Sequence, residues 1–346
     1  RVHCDSERSE GPFFIASISE ESRSLATLGM TEMIDSPRLI SDSRIVHVVA
    51  GVITDARGRT LLARRTEGRD LAGAWEFPGG KLEPGESPAK ALKRELFEEL
   101  GIHIGNIEPL ICVPQRYAGK NIVLDVYSVL SYTGKPKGLE EQALAWSPLE
   151  KLISYPMPPA DKPVVAALTL PNVLAITPEF YGDKNNYLSC IEQQLVAGVR
   201  YIQLRCKSLT SIKLKELAID IRTLCHEHKA TLFINEDIQL AKMLCCPVHL
   251  KSSQLMRKDI ATMLSGHPFS SACHSIDELK KAESMAALFA VLGPVLKTNS
   301  HPDSDGIGWP AFAQMRNDVS LPIFALGGLG MKNISDARRH GAQGVA

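Results

Sequence analysis

The sequence lacks three features that would each assign the protein to a special class. It has no net charge, because 39 basic residues balance 39 acidic ones, so no overall field draws it to nucleic acid or to an anionic membrane. It has no apolar run near the roughly 18 residues that cross a bilayer. Its eight cysteines form no CxxC pair and no regular framework, which is typical of reduced thiols. We therefore expect a cytoplasmic protein without direct nucleic-acid or membrane partners; the sequence does not define its oligomeric state.

A chain of 346 residues with 44% hydrophobic residues is long enough for about two globular domains. Its beginning is rich in Ser, Glu and Arg and has no apolar stretch after a basic start, so it does not read as a signal peptide. Met30 and Met33 are natural alternative start points beyond it. We divide the chain into a disordered extension (1–43), a first domain (44–170), a linker rich in Pro, Gly and Asn (171–186) and a second domain (187–346).

The first domain has strand and helix signals of an α+β fold. IVHVVAGVITD and TLLARR, separated by a turn at Arg57-Gly58, predict a hairpin. SPAKALKRELFEELG predicts a helix with Ser87 as N-cap, Pro88 at the first helical position and Gly101 just past the end. NIVLDVYSVLSY and LAWSPLEKL predict further strands, and PPADKPVVAALTL predicts a closing helix.

The second domain alternates short apolar strands with helical segments, which predicts a parallel α/β sheet and here a (β/α)8 barrel of the TIM type. The predicted strands lie in VRYIQLRCK, ATLFINED, CPVHLKS, FSSACH, ALFAVLGPVL, LPIFALGG and AQGVA. The chain stops at Ala346 directly after the last of them. Since such barrels normally need about 200 residues or more, we expect this one to be truncated at its C-terminal end.

One segment carries most of the chemistry. From Gly80 to Ile102 the sequence reads G-x5-E-x7-R-E-L-F-E-E-L-G-I, and its Glu95, Glu98 and Glu99 are spaced i, i+3 and i+4, so they share one helical face. Like charges so placed repel one another unless a cation neutralises them, and carboxylate oxygens suit Mg²⁺. The pattern therefore predicts a divalent-metal site.

A solvated helix face is the alternative interpretation, and three glutamates alone would favour it. The glycine pair and two further charged residues of the segment argue against it. The preceding Gly79 and Gly80 allow a close approach of the backbone to metal or phosphate, and Glu86 and Arg94 stand at fixed positions relative to the glutamates. The opposite helix face, with Ala91, Leu92, Leu96 and Leu100, is apolar and would pack on the sheet.

The segment matches the Nudix box at every defined position. Residues 45–170 as a whole resemble the MutT branch of the Nudix hydrolases through LLARR, WEFPGGKLEPGE, GLEEQALAW and PPADKPVVAAL. The resemblance implies an α/β/α sandwich with a mixed sheet. It also implies a Mg²⁺-dependent enzyme, with Mn²⁺ as the alternative metal, that converts 8-oxo-dGTP or a related nucleoside triphosphate to the monophosphate and pyrophosphate. Such an enzyme sanitises the nucleotide pool and prevents mutation.

The resemblance also assigns roles to individual residues. It implies a metal site of Gly79, Glu95, Glu98, Glu99 and Glu140, oriented by Arg94 and Glu86, and nucleotide contacts from Arg65, Phe77 and Asp161. Two assignments have a plain alternative: Glu140 as a surface residue beside Glu141, and Asp161 as the N-cap of a helix starting at Lys162. Bacterial MutT proteins carry Asn where Asp161 stands. An aspartate can accept from guanine N–H groups and, when protonated, donate to O6.

The second domain resembles thiamine-phosphate synthase, a (β/α)8 barrel, through YIQLRCK, LFINED, VHL, GPVLKTNS and LPIFALGG. The retained residues Gln203, Arg205, Lys207, Gly327 and Gly328 imply a phosphate site. The metal ligands have changed: Glu236 replaces an aspartate, and Lys251-Ser252-Ser253-Gln254 replaces GQxD. His301 stands in place of a lysine, and Ala272 in place of a serine.

These observations leave three hypotheses: a nucleotide-sanitising enzyme, a thiamine-phosphate synthase with a Nudix appendage, and a non-catalytic protein that binds thiamine phosphates. The complete box in the first domain favours the first. Without its second carboxylate, the barrel site is expected to hold Mg²⁺–pyrophosphate poorly.

Overall fold

The computed structural model describes residues 45–117, 120–297 and 306–346. The extension expected at 1–43 and the substituted His301 lie outside the described residues. In the described part no helix is long and apolar enough to cross a membrane. The described residues belong to one compact unit, and this unit holds two domains.

The N-terminal domain is built from short sheets around two helices. Its elements are β1 (Ile45–Ile53), β2 (Thr60–Arg64), β3 (Trp75–Glu76), β4 (Gly79–Lys81), α1 (Pro88–Leu100), β5 (His103–Ile104), β6 (Ile107–Tyr117), β7 (Lys120–Val129), β8 (Tyr132–Thr133), β9 (Leu144–Ser147), a 3-10 helix (Leu149–Ser154) and α2 (Lys162–Thr169). The main sheet has the order β4-β1-β7-β6, with β1 and β7 parallel and the other pairs antiparallel. The mixed sheet predicted by the family resemblance is confirmed.

The hairpin predicted at the start of the domain forms only at its turn. The Asp55 amide donates to the Arg59 carbonyl at 2.9 Å, and a single bridge joins Thr54 to Thr60. Beyond that bridge the two strands separate, and β2 joins β3 and β9 in a second sheet. The local turn chemistry was therefore read correctly, whereas the strand pairing is decided by packing between the sheets.

Helix α1 matches its predicted ends. It starts at Pro88 after Ser87, and Gly101 ends it in the left-handed conformation with φ of 67°. Ala91, Leu92, Leu96 and Leu100 are fully buried, and they pack with Val49 and Ile53 of β1 in one apolar cluster. The apolar face expected from the sequence thus anchors the helix to the sheet and leaves its acidic face toward the loop between β4 and α1.

The C-terminal domain is an eight-stranded parallel barrel. Its elements are β10 (Leu174–Ile176), α3 (Lys184–Val196), β11 (Tyr201–Leu204), α4 (Ser211–Glu227), β12 (Thr231–Asn235), α5 (Ile238–Leu244), β13 (Val248–Leu250), α6 (Ser252–Leu255), α7 (Ile260–Leu264), β14 (Phe269–Cys273), α8 (Ile276–Ser284), β15 (Ala290–Leu292), α9 (Gly308–Arg316), β16 (Ile323–Ala325), a 3-10 helix (Met331–Asn333), α10 (Ile334–Arg339) and β17 (Gly344–Val345). The strands pair in chain order, as expected of this fold.

The ring closes between its first and last strands. Val173 bridges Val345 in parallel, and the Val345 amide donates to the Asn172 carbonyl at 3.0 Å. Inside the ring, four aromatic side chains pack with centroid separations from 5.0 to 6.4 Å: Tyr201, Phe233, Phe289 and Phe324. The barrel interior is therefore a packed core rather than a pore.

The segment interpreted as a linker, 171–186, contains the first barrel strand, β10, and the start of α3. Sequence analysis missed β10 because three strand residues stand among Pro, Gly and Asn. The segment is also tied down: the Gln343 side-chain amide donates to the carbonyls of Leu170 and Pro171 at 3.1 and 3.0 Å. The sheet of the second domain therefore begins before residue 187.

Candidate active site

The acidic face of α1 is organised around one arginine. The Arg94 guanidinium contacts Glu86 at 2.9 Å, Glu95 at 2.8 Å and Glu98 at 3.2 Å, and it donates to the Lys81 carbonyl at 3.1 Å. The hydrogen bond that Arg94 donates to Glu86, followed by the one that it donates to Glu95, raises the pKa of Arg94 above its usual value. Arg94 therefore fixes three of the predicted carboxylates relative to the loop before the helix.

Glu99 differs from the other box glutamates because it is buried, with 6% of its surface exposed. Its Oε2 accepts from the Gly79 amide at 3.2 Å. Burial raises the pKa of Glu99 to about 8, and the nearby carboxylates of Glu140 and Glu76 push it in the same direction. The nearest cationic group, Arg69, lies 3.9 Å away. A carboxylate in this setting gains most from a cation placed beside it.

Glu140 lies on the same surface as Glu99, although 41 positions separate them in the sequence. Arg69 binds the Glu140 carboxylate at 2.5 Å while it approaches Glu99. Gln142 accepts from the Glu140 amide at 2.8 Å and donates to the Glu99 carbonyl at 3.0 Å. This proximity favours the metal-site role of Glu140 over that of an unrelated surface residue, and the role itself stays a prediction.

The glycine pair explains how loop and helix come so close. A Cβ on Gly79, whose φ is +155°, would lie 2.0 Å from the Val49 carbonyl oxygen. A Cβ on Gly80 would lie 2.1 Å from the Glu95 carboxylate carbon. Gly79 is thus required by the strand pairing of β4 with β1, and Gly80 by the position of the Glu95 side chain.

The predicted metal ligands are not a preformed cluster. Across 45–117, 120–297 and 306–346, no group of three or more His, Cys, Asp or Glu side chains is arranged to hold a metal ion. Two guanidinium groups, those of Arg94 and Arg69, stand among the carboxylates. Five carboxylates (Glu86, Glu95, Glu98, Glu99 and Glu140) therefore share two guanidinium groups.

The predicted base contact Asp161 is buried at the N-terminal end of α2. It occupies the N-cap position, but its side chain makes no capping hydrogen bond there. Instead, Oδ1 accepts from the Phe77 amide at 3.3 Å. Burial raises the pKa of Asp161 to about 7. The capping alternative for Asp161 is therefore not what its side chain does.

Phe77 bonds Asp161 directly, whereas Arg65 acts on it through its charge. Phe77 is 3% exposed and packs in the apolar core of the domain, and its backbone amide is the group that donates to Asp161. The Arg65 guanidinium forms an ion pair with Glu76 and donates to the Asp70 carbonyl at 2.6 Å. The charges of Arg65 and Glu76 both act on Asp161, which brings all three to one region.

Sequence analysis missed Arg69, Glu76 and Tyr117 in this region. The Tyr117 hydroxyl accepts from the Ala160 amide at 3.3 Å, directly before Asp161. Burial raises the pKa of Glu76, and the ion pair with Arg65 opposes this. None of the three belongs to a periodic pattern or to the box. The WEFPGG motif that located Phe77 contains Glu76 and was the one available signal.

In the barrel, the predicted phosphate residues lie at the C-terminal ends of the strands. Gln203 is buried and donates to the Asn235 side chain at 2.8 Å, and its Oε1 has no partner among the residues that the structure describes. The side chains of Arg205 and Lys207 are exposed. Their backbone amides are held by Thr177 at 2.9 Å and Glu179 at 3.0 Å. These two partners were not foreseen.

Gly327 and Gly328 follow β16 with φ of 106° and 66°. A Cβ on Gly327 would lie 2.6 Å from the Pro294 Cβ, and one on Gly328 would lie 2.7 Å from the Lys297 carbonyl oxygen. The pair is therefore required by tight loop packing at the rim, on the same end of the barrel as Gln203.

The changed metal positions of the barrel pair with each other. Lys251 binds the Glu236 carboxylate at 2.9 Å, and the Asn235 side chain donates to the other oxygen at 3.3 Å. This ion pair with Lys251 lowers the pKa of Glu236 against the opposing effect of burial. An ammonium group thus occupies the neighbourhood in which the resemblance implies a second carboxylate.

Comparison with known proteins agrees with this division. The NUDIX domain family matches residues 45–168, and the thiamine monophosphate synthase family matches residues 173–346. The CTP pyrophosphohydrolase of Escherichia coli is 41% identical over 36% of this chain and 91% of its own. The 8-oxo-dGTP diphosphatase of Haemophilus influenzae is 39% identical over 37% of this chain and 93% of its own. A protein of Aquifex aeolicus, provisionally named thiamine-phosphate synthase 2, is 34% identical over 52% of this chain and 96% of its own.

Proposed function

Because the chain belongs to the Nudix family through residues 45–168 and to the thiamine monophosphate synthase family through residues 173–346, we propose that it is a Mg²⁺-dependent nucleoside triphosphate pyrophosphohydrolase. The proposed products are the nucleoside monophosphate and pyrophosphate, and the proposed substrate is 8-oxo-dGTP. The observation that carries this proposal is the buried Glu99 beside Glu95, Glu98 and Glu140. Removal of such a nucleotide before DNA synthesis would prevent mutation.

The chain's donor set fits a hard divalent cation. Its side-chain members are carboxylates, and Mg²⁺ prefers oxygen ligands together with water and phosphate. The two arginines leave negative charge uncompensated among the five carboxylates. When bound, the cation supplies charge neutralisation at the phosphates and lowers the pKa of a coordinated water.

The protein's own groups set the geometry of this reaction. Arg94 keeps Glu86, Glu95 and Glu98 in fixed positions, and the Gly79 amide orients Glu99. Burial raises the pKa of Glu99 to about 8, so a cation placed beside this carboxyl group would favour its charged form. Arg69 and Arg65 place two guanidinium groups beside carboxylates of this region. Guanidinium groups bind phosphate oxygens, so both arginines would contact the substrate phosphates.

Asp161 carries the base recognition in this proposal. Its carboxylate accepts hydrogen bonds, and the guanine edge offers N1–H and N2–H2 donors. Cytosine also offers an amino donor, and one relative is named for CTP while another is named for 8-oxo-dGTP. We therefore test the proposal with a panel of 8-oxo-dGTP, dGTP, CTP and dATP under one set of conditions. The highest kcat/KM is expected for 8-oxo-dGTP, and a preference for dATP, which offers no such ring N–H, would contradict it.

The buried carboxyl of Asp161 predicts a pH effect on stability. Its pKa is raised to about 7, so it stabilises the fold fully below the unfolded pKa near 3.8, and this contribution is lost as pH rises through 7. Asp161→Asn removes the titration. Denaturant titrations in the presence of a chelator measure the free energy of unfolding of both proteins. The wild-type value minus the variant value should fall between pH 5 and pH 8. A difference that stays level over that range would show that Asp161 does not titrate there.

A second candidate function concerns the barrel and rests on the Lys251–Glu236 ion pair. We propose that the rim binds a phosphate ester without a divalent cation. Lys251 supplies positive charge beside Glu236, exposed Arg205 and Lys207 add two cationic groups, and arginine and backbone N–H groups bind phosphate without metal.

The barrel should therefore bind phosphate compounds without synthesising thiamine phosphate. The protein is expected to form no detectable thiamine phosphate from the pyrimidine diphosphate and the thiazole phosphate, because Lys251-Ser252-Ser253-Gln254 has no carboxylate where GQxD is expected. It should still bind inorganic pyrophosphate in the presence of EDTA, and Lys251→Met should weaken that binding. Calorimetry measures the binding, and complementation of a strain without thiamine-phosphate synthase measures the synthesis. Growth without thiamine would make the protein a bifunctional enzyme.

A further inference from the structure

A segment of the barrel domain lies along the free edge of the main sheet of the N-terminal domain. Strand β6 is the edge of that sheet, and it contains Pro109 and Pro114, residues that sheets tolerate at edges. The Arg116 amide donates to the Asn317 carbonyl at 2.8 Å. The Pro114 carbonyl accepts from Arg316 at 2.7 Å. Backbone groups that an edge strand normally leaves to solvent are thus bonded by the other domain.

Arg316 is the centre of this contact and is completely buried. Besides Pro114, it donates to the carbonyls of Gly341 at 3.0 Å and Val319 at 3.2 Å. Burial lowers the pKa of Arg316 to about 10, so the group stays charged at neutral pH. A buried charge that meets carbonyl oxygens instead of a carboxylate is costly. An arrangement of that kind indicates a role beyond simple packing.

Further contacts fix the same end of β6. The Gln115 side chain donates to the Asn317 carbonyl at 3.3 Å and accepts from the Ser320 hydroxyl at 3.4 Å. Arg116 forms an ion pair with Asp318 at 3.2 Å. Three consecutive residues, 114 to 116, are therefore bonded to the barrel.

The next residue, Tyr117, connects this contact to the proposed base site. Its hydroxyl accepts from the Ala160 amide, and the charge of Asp161 contributes to a raised pKa of Tyr117, after the larger effect of burial. Asp161 in turn accepts from the Phe77 amide. A short chain of bonded groups therefore runs from Arg316 to the residue proposed to read the base.

We propose that Arg316, contributed by the barrel domain, is a positioning residue of the nucleotide site in the Nudix domain. By holding the end of β6 it keeps Tyr117 against Ala160 and thereby fixes Asp161 for base binding. This inference rests on the proposed function for its kinetic consequence, and on the structure alone for the contacts.

The contact lies at the end of the barrel opposite to the predicted phosphate residues, so it does not join the two ligand sites. Arg316 is the last residue of α9, residues 317–320 and 341–343 lie in the connections that lead from helices into strands β16 and β17, and 170–172 precede β10. These connections lie at the N-terminal ends of the barrel strands. The phosphate residues Gln203 and Gly327 lie at the opposite ends, where barrel ligands bind.

The test compares Arg316→Met and Arg316→Lys in the full chain with Arg200→Met as a matched control. Arg200 also donates to carbonyl oxygens, those of Leu195 and Val199 at 2.9 Å, but within the barrel. Arg316→Met is expected to raise KM for the preferred nucleotide about tenfold, the equivalent of one lost hydrogen bond, with kcat within about twofold. Arg316→Lys retains the positive charge but loses the planar guanidinium group that donates several hydrogen bonds. It should give a smaller rise in KM. Arg200→Met should leave KM unchanged.

Hydrogen exchange supplies a readout that does not depend on activity. The amides of Ala160 and Phe77 should exchange faster in both Arg316 variants, while the amides of α1 keep their wild-type rates. Unchanged exchange at Ala160 and Phe77, or a fall in kcat at constant KM, would overturn the positioning role. A wild-type protein that hydrolyses no nucleotide would instead contradict the proposed function, and exchange at these two amides would still decide the role of Arg316.

Discussion

Glu99→Gln is expected to lower turnover by at least about 100-fold, because it removes a charged ligand from a cation site that supplies several kcal/mol. The fold should persist. Burial raises the pKa of Glu99 to about 8, so without a cation the protonated acid is the form favoured at neutral pH, and glutamine has nearly the same shape. Glu98→Gln is expected to act in the same direction. Turnover is measured as pyrophosphate release with Mg²⁺.

The control for this prediction is Glu108→Gln, which removes one carboxylate from an exposed position of β6 away from α1. It should leave turnover near the wild-type value. Thermal unfolding of all three variants separates loss of a ligand from loss of structure. Near-wild-type turnover in both Glu98→Gln and Glu99→Gln would contradict the assignment of this face as the metal site.

Alanine at the two adjacent glycines should have two different effects. In Gly80→Ala the new Cβ would lie 2.1 Å from the Glu95 carboxylate carbon, and the end of a side chain can move away. We expect a folded protein whose turnover falls by about two orders of magnitude, comparable with loss of a metal ligand. In Gly79→Ala the Cβ would lie 2.0 Å from the Val49 carbonyl oxygen, which is backbone. This variant should lose the pairing of β4 with β1 and unfold at a lower temperature.

Gly330→Ala is the matched control for an added methyl group, since none of the described residues has an atom within 4 Å of a Cβ there. Melting curves and turnover of the three variants are compared. If Gly80→Ala retained wild-type turnover, Glu95 would not need the position that the structure gives it. If Gly79→Ala melted like the wild-type protein, the close approach of the two strands would not be required.

The box helix could be predicted because its information is local. Pro88, Gly101 and the apolar spacing fix the ends and the buried face of α1 without reference to distant residues. The same holds for the repeated short apolar strands of the barrel, whose parallel order follows from their alternation with helices. In both cases the prediction was confirmed.

Elements without a local signal were missed. Strand β6 contains two prolines and no clean alternation, yet it is bonded on one side by β7 and on the other by the barrel. Strand β10 has three residues and is defined by its pairing with β11. Arg316 stands 202 positions from Pro114, and nothing in its own neighbourhood indicates burial. Such features depend on tertiary contacts, which a single sequence does not display.

In the candidate active site too, residues with a local sequence signal were predicted and residues that act through distant contacts were not. The box glutamates and Arg94 were predicted from spacing and family resemblance, and the structure brings them around one guanidinium. Arg69 and Tyr117 act through contacts with residues far along the chain, Glu140 and Ala160. No residue near either of them indicated a role.

The most direct test of the account is the identity of the products formed from 8-oxo-dGTP and Mg²⁺ by the purified full chain. The account predicts equal amounts of 8-oxo-dGMP and inorganic pyrophosphate, abolished by EDTA and strongly reduced in Glu99→Gln. Release of orthophosphate with the nucleoside diphosphate, or equal product formation by the Glu99 variant, would contradict it.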